Sequence, residues 1–114
     1  MIVPSGVLFD LDGVIFQGDR LIPGAEGVIH KLQIAKIPYR FITNTTRMTK
    51  YNLINMLSKM GFSVNPKEIF AAPHAASEYC KLKRYKNISL IVPDEEMKED
   101  FSTFQFVDEN PEAI

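Results

Sequence analysis

The chain has 114 residues, a length that suits one small domain or one piece of a larger protein. Its 46% hydrophobic and 24% charged residues are typical of a soluble globular chain, and its net charge of −1 lacks the basic excess of a nucleic-acid-binding surface. One cysteine, Cys80, excludes an intrachain disulfide and CxxC metal spacing.

The first predicted elements are a strand and a helix. Val7-Leu8-Phe9 is a continuous apolar run, which is typical of a strand covered on both faces in a parallel sheet. A turn-rich stretch follows, and Pro23-Gly24 opens a helix that Pro38 ends. The apolar face of this helix repeats at i, i+4 and i+7 spacing and consists of Val28, Ile29, Leu32 and Ala35.

The second half of the chain continues this alternation. A strand is predicted over Tyr39–Thr43, and a second helix from near Thr49 is predicted to end at Gly61. Asn65 is predicted to cap a helix start, with Glu68 three residues later. The remaining predicted elements are a helix over 74–84, a strand over 88–92, a solvent-exposed acidic helix or turn over 94–100, and a strand over 104–107. This order predicts an α/β fold with right-handed βαβ units and a parallel sheet.

Two carboxylates follow the first predicted strand. Asp10 and Asp12 lie at its carboxyl end, where open α/β sheets bind ligands, and Gly13 lets the chain turn away without a Cβ. Carboxylates two residues apart on extended chain point the same way, and Mg²⁺ is a natural companion because it takes oxygen ligands and retains water and substrate phosphate. The pattern predicts phosphoryl transfer through a covalent aspartyl phosphate, with the second carboxylate as general acid and base.

A second set of polar residues follows the second predicted strand. The hydroxyl of Thr43 and the backbone N–H groups of Asn44 and Thr45 are predicted to hold phosphate oxygens, and Arg47 adds a positive charge. The alternatives are a plain strand-end turn or helix cap for Thr43-Asn44 and a solvated loop charge for Arg47.

Structural roles compete with chemical ones for several titratable residues. Asp-x-Asp-Gly also occurs in structural turns, but a calcium loop is disfavoured because the glycine is fourth and Leu21 occupies the twelfth position. His30 and His74 have no partner at metal or triad spacing, which favours structural or exposed roles. Cys80 is expected to be a buried or half-buried helix residue.

These segments resemble a known family. Val7-Leu8-Phe9-Asp10-Leu11-Asp12-Gly13-Val14 resembles the first motif of the haloacid dehalogenase superfamily, and Phe41-Ile42-Thr43-Asn44-Thr45 resembles its second. Gly18, Ile22-Pro23-Gly24-Ala25 and Met60-Gly61-Phe62 are similar to the subgroup with a large α/β cap. The resemblance runs over nearly all of the chain.

The resemblance implies a role for each matched residue. Asp10 matches the nucleophile and metal ligand, Asp12 the general acid and base with its carbonyl also on the metal, and Thr43 with Asn44 the phosphate-binding position. The family also needs a lysine and further acidic metal ligands that follow the cap, and this chain ends before them. The implied organisation is a Rossmann-like, haloacid dehalogenase-like core (its amino-terminal half) over residues 1–84 and the start of an α/β cap over 85–114. The chain is therefore expected to be a fragment and an incomplete catalyst.

The expected function is that of a Mg²⁺-dependent phosphohydrolase acting on small phosphorylated metabolites or phosphoamino compounds. The alternatives are a truncated, non-catalytic remnant of such an enzyme and a phosphotransferase. The start of the chain lacks the pattern of a secretory signal, and no apolar run approaches the roughly 20 residues that span a bilayer. We therefore expect a cytoplasmic protein with a small phosphorylated substrate and no membrane or nucleic-acid partner, and homo-oligomer formation is left open.

Overall fold

The computed structural model describes residues 2–114. The expectation that the chain begins without a secretory-signal pattern includes Met1, which lies outside the described residues. The chain divides into two compact units. The first combines the chain up to Thr43 with Ile54–Phe70, and the second combines Asn44–Leu53 with Ala71–Ile114. The boundary predicted between residues 84 and 85 is a different division of the chain and stays a prediction.

The first unit is built on a sheet of three strands in the order β1-β4-β5. Their bounds are Val7–Asp10, Tyr39–Thr43 and Ile69–Ala71. β1 pairs in parallel with β4, with Val7 opposite Tyr39. Two parallel strands joined through a helix confirm the predicted α/β class, and the predicted bounds of β4 are confirmed.

One face of this sheet is buried and the other is exposed. Tyr39 and Phe41 are buried, and the Phe41 ring packs edge-on against Phe62 with centroids 5.6 Å apart. On the other face Leu8 is 67% exposed, Ile42 39% and Phe70 46%. The prediction that β1 is covered on both faces is therefore wrong for the described chain, because β1 alternates between half-buried and exposed residues.

The turn-rich stretch after β1 contains a small hairpin that the sequence analysis missed. β2 (Phe16–Gln17) and β3 (Arg20–Leu21) pair antiparallel, and Gly18 between them has a φ of +61°. Helix α1 (Ala25–Ile34) follows Gly24, which also has positive φ. The predicted first helix is thus confirmed, and the hairpin links it to β1.

Helix α2 (Lys50–Lys59) ends as predicted. Gly61 has a φ of +90°, and the N–H of Phe62 donates to the carbonyl of Leu57 at 2.9 Å. A glycine in the left-handed region is the usual residue after a helix end because it has no Cβ to clash. Gly61 is therefore the C′ residue of α2.

The predicted cap at Asn65 is also confirmed. The Asn65 side chain accepts the N–H of Lys67 at 2.9 Å, and the Glu68 carboxylate accepts the N–H of Asn65 at 3.1 Å. The helix that follows is a single 3₁₀ turn, Pro66–Glu68, and it leads directly into β5. β5 was not predicted because no turn residue separates it from the next helix.

The second unit contains helix α3 (Ala72–Leu82), β6 (Asn87–Ile88), a 3₁₀ helix (Glu95–Phe101) and β7 (Gln105–Phe106). β6 and β7 pair in parallel. The apolar core consists of Cys80, Ile88, Phe101 and Phe104, so the expected burial of Cys80 is confirmed.

The strand predicted over 88–92 is wrong beyond Ile88. The N–H of Ser89 donates to the carbonyl of Ala113 at 2.9 Å, and Ile91 is exposed. The apolar run therefore leaves the β6–β7 pair after two residues. None of the helices within residues 2–114 combines the length and apolarity needed to cross a membrane.

Candidate functional site

The segment after β1 wraps around one carbonyl oxygen. The carbonyl of Leu11 accepts the N–H groups of Val14 at 3.2 Å, Ile15 at 2.8 Å and Phe16 at 3.2 Å. The Leu11 side chain is completely buried, and Gly13 has a φ of +80°, which favours glycine. The buried leucine and the three hydrogen bonds fix a tight turn at the carboxyl end of β1.

This turn presents both predicted carboxylates to solvent. Asp10 and Asp12 are exposed, and neither forms an ion pair with another described residue. Oδ1 of Asp10 accepts the N–H of Leu11 at 2.8 Å, and Asp12 forms an isolated backbone bridge with Phe16. One carboxylate oxygen of Asp10 is therefore oriented by the backbone, and the second lone pair of Oδ1 together with Oδ2 is left for a ligand and a substrate.

Thr43 lies at the same edge of the sheet as Asp10. Asp10 is opposite Ile42 in the β1–β4 register, and Thr43 is the next residue and the last of β4. Its side chain is half-buried. The fold thus brings Asp10, Asp12 and Thr43 to the carboxyl ends of two adjacent strands.

Asn44, Thr45 and Arg47 lie in the loop between β4 and α2, which belongs to the second unit. Asn44 and Arg47 are exposed and Thr45 is half-buried. The chemical roles of all these residues, and the position of these three beside the carboxylates, stay predictions.

The second unit holds the beginning of α2 with acidic side chains that the sequence analysis assigned to a solvent-exposed face. Oδ2 of Asp100 accepts the N–H of Lys50 at 3.2 Å, and Oε2 of Glu96 accepts from Nδ2 of Asn52 at 3.1 Å. The prediction of a purely solvated segment is therefore wrong for Asp100, which is half-buried against the helix terminus. Carboxylates stabilise helix amino termini because the first N–H groups lack helical partners and the dipole is positive there.

Asp10 and Asp12 supply part of a donor set for Mg²⁺. Asp10 and Asp12 offer hard oxygen atoms, which Mg²⁺ prefers, and Mg²⁺ is commonly held by one or two carboxylates with waters and substrate phosphates. Within residues 2–114, however, no cluster of three or more His, Cys, Asp or Glu side chains is arranged to hold a metal ion. The residues present fit part of a Mg²⁺ site that needs further ligands.

Comparison with known proteins gives consistent results. The sequence pattern of the family described as "Haloacid dehalogenase-like hydrolase" matches residues 7–106. The chain is 32% identical over 112 residues to "Haloacid dehalogenase-like hydrolase domain-containing protein 2" of Rattus norvegicus, covering 98% of the chain and 42% of that protein. It is 30% identical over 104 residues to "Phosphoglycolate phosphatase 1A, chloroplastic" of Arabidopsis thaliana, covering 88% and 29%.

The fold is similar to that of NagD from Escherichia coli, with a TM-score of 0.83 at 22% identity over 96% of this chain and 44% of that one. The chain thus spans less than half the length of each of these three proteins.

Proposed function

Since the chain belongs to the haloacid dehalogenase-like hydrolase family, we propose that it is the nucleophile-bearing part of a Mg²⁺-dependent phosphohydrolase. The observation that carries the proposal is the turn around the Leu11 carbonyl, which leaves the carboxylates of Asp10 and Asp12 exposed at the carboxyl end of β1. The phosphatase name of the Arabidopsis thaliana relative supports the reaction class.

Asp10 is the nucleophile in this proposal. Its Oδ1 is engaged by the N–H of Leu11, so Oδ2 attacks the phosphorus of a phosphate monoester. The bond from phosphorus to the ester oxygen breaks, and the carboxyl group of Asp12 gives that oxygen a proton. The products of this step are an alcohol and a phosphoryl group on Asp10, a covalent intermediate that divides one difficult step into two.

Water completes the reaction. The Asp12 carboxylate takes a proton from a water molecule, whose oxygen attacks the phosphorus as the bond to Asp10 breaks. Inorganic phosphate leaves, and both carboxyl groups return to their starting protonation states. Asp12 suits this double role because it is exposed and because the Leu11-centred turn fixes its backbone two residues after Asp10.

The residues after β4 are proposed to bind the phosphoryl oxygens. The Thr43 hydroxyl lies one residue beyond the position opposite Asp10. The N–H groups of Asn44 and Thr45 and the guanidinium of Arg47 are proposed to add donors, which stabilise negative charge that grows on the transferring group.

Mg²⁺ is the proposed metal, held by the carboxylate of Asp10 and the backbone carbonyl of Asp12 together with ligands beyond this chain. When bound, it supplies positive charge that offsets the charge of the transferring phosphoryl group. This assignment is supported by the chemistry of the ligands, because Mg²⁺ is a small, hard cation that prefers oxygen atoms such as these carboxylate and carbonyl oxygens.

The proposed substrates are small phosphorylated metabolites or phosphoamino compounds, in a cytoplasmic enzyme with no nucleic-acid or membrane partner. Residues 1–84 are proposed to belong to its core and 85–114 to the start of its cap. A non-catalytic chain is the second candidate, because the described residues lack a complete metal-ligand set.

The decisive experiment is to trap the intermediate. A protein of the relatives' full length that contains this chain is incubated with a phosphate ester and Mg²⁺, quenched, and reduced with borohydride, which converts an acyl phosphate to an alcohol. Mass spectrometry is expected to find the reduced side chain at Asp10. Phosphate release without a reduced side chain at Asp10 would overturn the proposed nucleophile. An absence of phosphate release would favour the non-catalytic candidate.

A further inference from the structure

A cleft with a volume of about 290 Å³ lies in the first unit, away from Asp10 and Asp12. It is bounded by α1, by the amino end of β4 and by the Gly61–Ser63 turn after α2. Its floor is aromatic, because Tyr39, Phe41 and Phe62 are buried and pack edge to face with centroids 5.6 Å apart. The volume is at the lower end of small-molecule sites.

The polar lining of the cleft is acidic. Two carboxylates, Glu26 and Glu68, line it, and no described lysine or arginine does. His30 is the remaining titratable side chain at the rim apart from the Tyr39 phenol. Arg40 does not line the cleft, and its Nη1 donates to the backbone carbonyl of Tyr39. The cleft therefore repels anions and attracts cations.

Glu68 is held in place by the capping box. Its Oε2 accepts the N–H of Asn65 at 3.1 Å. The Tyr39 hydroxyl, also in the lining, accepts from Nε2 of Gln33 at 3.0 Å. Burial raises the pKa of Tyr39, and the neighbouring charge of Glu68 raises it further, so the phenol remains a donor at neutral pH. An ordered carboxylate thus stands beside an aromatic floor.

We propose that this cleft binds an organic cation, an alkylammonium group with a short apolar body. The ammonium would lie between the Glu26 and Glu68 carboxylates, where charge-assisted hydrogen bonds are strong. The apolar body would pack on the apolar part of the lining, which includes Ile29 and the exposed edge of Tyr39. This site does not depend on the phosphohydrolase chemistry at Asp10. The same chemistry is offered by a free amine and by a lysine side chain of a peptide.

The test is a titration of a protein of the relatives' full length that contains this chain, with three ligands of one size, which are butylammonium, butanol and butyrate. Amide chemical shifts of Gly61 and Ser63 report on the cleft. Butylammonium is expected to give saturable shifts there, butanol to bind at least about tenfold more weakly, and butyrate to give none. A further titration with Nα-acetyl-lysine amide distinguishes a free amine from the lysine side chain of a peptide. If this compound binds as tightly as butylammonium does, the ligand is a lysine side chain, and if it binds more weakly, the ligand is a free amine.

Charge-neutral variants assign the site. Glu68→Gln keeps the capping box, since glutamine also serves there, and is expected to weaken butylammonium binding about tenfold. Glu26→Gln, on the exposed face of α1, is expected to weaken it about threefold. Glu109→Gln removes the same charge outside the cleft and should leave the affinity unchanged. Equal binding of butanol, an absence of saturable shifts at the cleft, or wild-type affinity in both cleft variants would each overturn the proposal.

Discussion

Asp10 lies opposite Ile42 in the parallel ladder between β1 and β4, one residue before Thr43. The proposed nucleophile and the proposed phosphate-binding hydroxyl therefore end adjacent strands, which are about 4.8 Å apart in a sheet. Backbone hydrogen bonds create this adjacency, and the Asp10 side chain is exposed. Substitution of Asp10 is thus expected to alter chemistry and leave the fold intact.

Asp10→Asn is expected to lower hydrolysis of p-nitrophenyl phosphate roughly 1,000-fold or more in a protein of the relatives' full length. The amide has nearly the same shape but is a poor nucleophile and a poor metal ligand. Initial rates measure the loss, and the urea midpoint should not change. Asp19→Asn, at the exposed turn of the β2–β3 hairpin, is the matched control. A mutant that kept more than about a tenth of the wild-type kcat, a cost under 1.4 kcal/mol, would contradict the assignment.

Removal of metal is expected to abolish the same activity. Chelation with EDTA should stop phosphate release, added Mg²⁺ should restore it, and excess Ca²⁺ should suppress it because the larger ion prefers more ligands in looser geometry. Rates after each addition provide the measurement. Undiminished activity after thorough chelation would show that Asp10 and Asp12 are not a Mg²⁺ site.

Gly13→Ala is expected to destabilise the chain by about 1–2 kcal/mol. A Cβ at Gly13 would meet no atom within 4 Å, so the cost comes from its φ of +80° alone. Gly27→Ala is the matched control because Gly27 is helical and its Cβ would also meet nothing. That change should stabilise the chain by about 0.5–1 kcal/mol. Urea unfolding measures both, and equal signs for the two variants would contradict the strain at Gly13.

The isolated 114-residue chain is expected to self-associate through the exposed face of its sheet. Leu8, Ile42 and Phe70 are exposed on this face, and β1 is one of the two edge strands of the described sheet. Leu8→Lys should lower association, whereas Leu82→Lys should not, although Leu82 of α3 is even more exposed at 79% against 67% for Leu8. Sedimentation equilibrium over a concentration series measures this. A wild-type chain that stays monomeric throughout would disprove the expectation.

Glu112 is expected to contribute to the pH dependence of stability. The backbone N–H groups of Asn87 and Lys86 donate to its carboxylate, at 2.9 Å and 2.6 Å, and hold its pKa below the ordinary value of 4.5. The folded pKa is the lower one, so this stabilisation is present above about pH 4.5 and is lost as pH falls through the folded pKa. Glu112→Gln should weaken the dependence of the free energy of unfolding on pH in that range, whereas Glu109→Gln should not. Urea midpoints measured across this pH range provide the test.

Local patterns explain what the sequence predicted correctly. β4, the glycine after α2 and the Asn65 cap each depend on residues within four positions, and each was confirmed. Asp10 and Thr43 could be placed at one end of the sheet because each ends a short strand, and Asp12 follows Asp10 by two residues. Parallel pairing then brings the strand ends together.

Contacts between distant parts of the chain explain the errors. Asp100 binds the N–H of Lys50 across 50 residues, and no local pattern indicates such a pair. Ser89 leaves its strand because Ala113 supplies its hydrogen-bond acceptor. The β2–β3 hairpin had a local signal, since Gly18-Asp19 is typical of a two-residue turn and the apolar Phe16 and Leu21 lie two residues from it on either side.

The interleaving of the two units limits how this chain can be split. A cut after Thr43 leaves the second unit whole but separates the two segments of the first, and a cut after Phe70 does the reverse. The core of the first unit draws on both of its segments, since Phe41 packs against Phe62, whereas the core residues of the second unit, from Cys80 to Phe104, all lie in its longer segment. A protein split after Thr43 should therefore recover the first core only by complementation, when the two fragments are mixed, and a split after Phe70 should leave both cores intact.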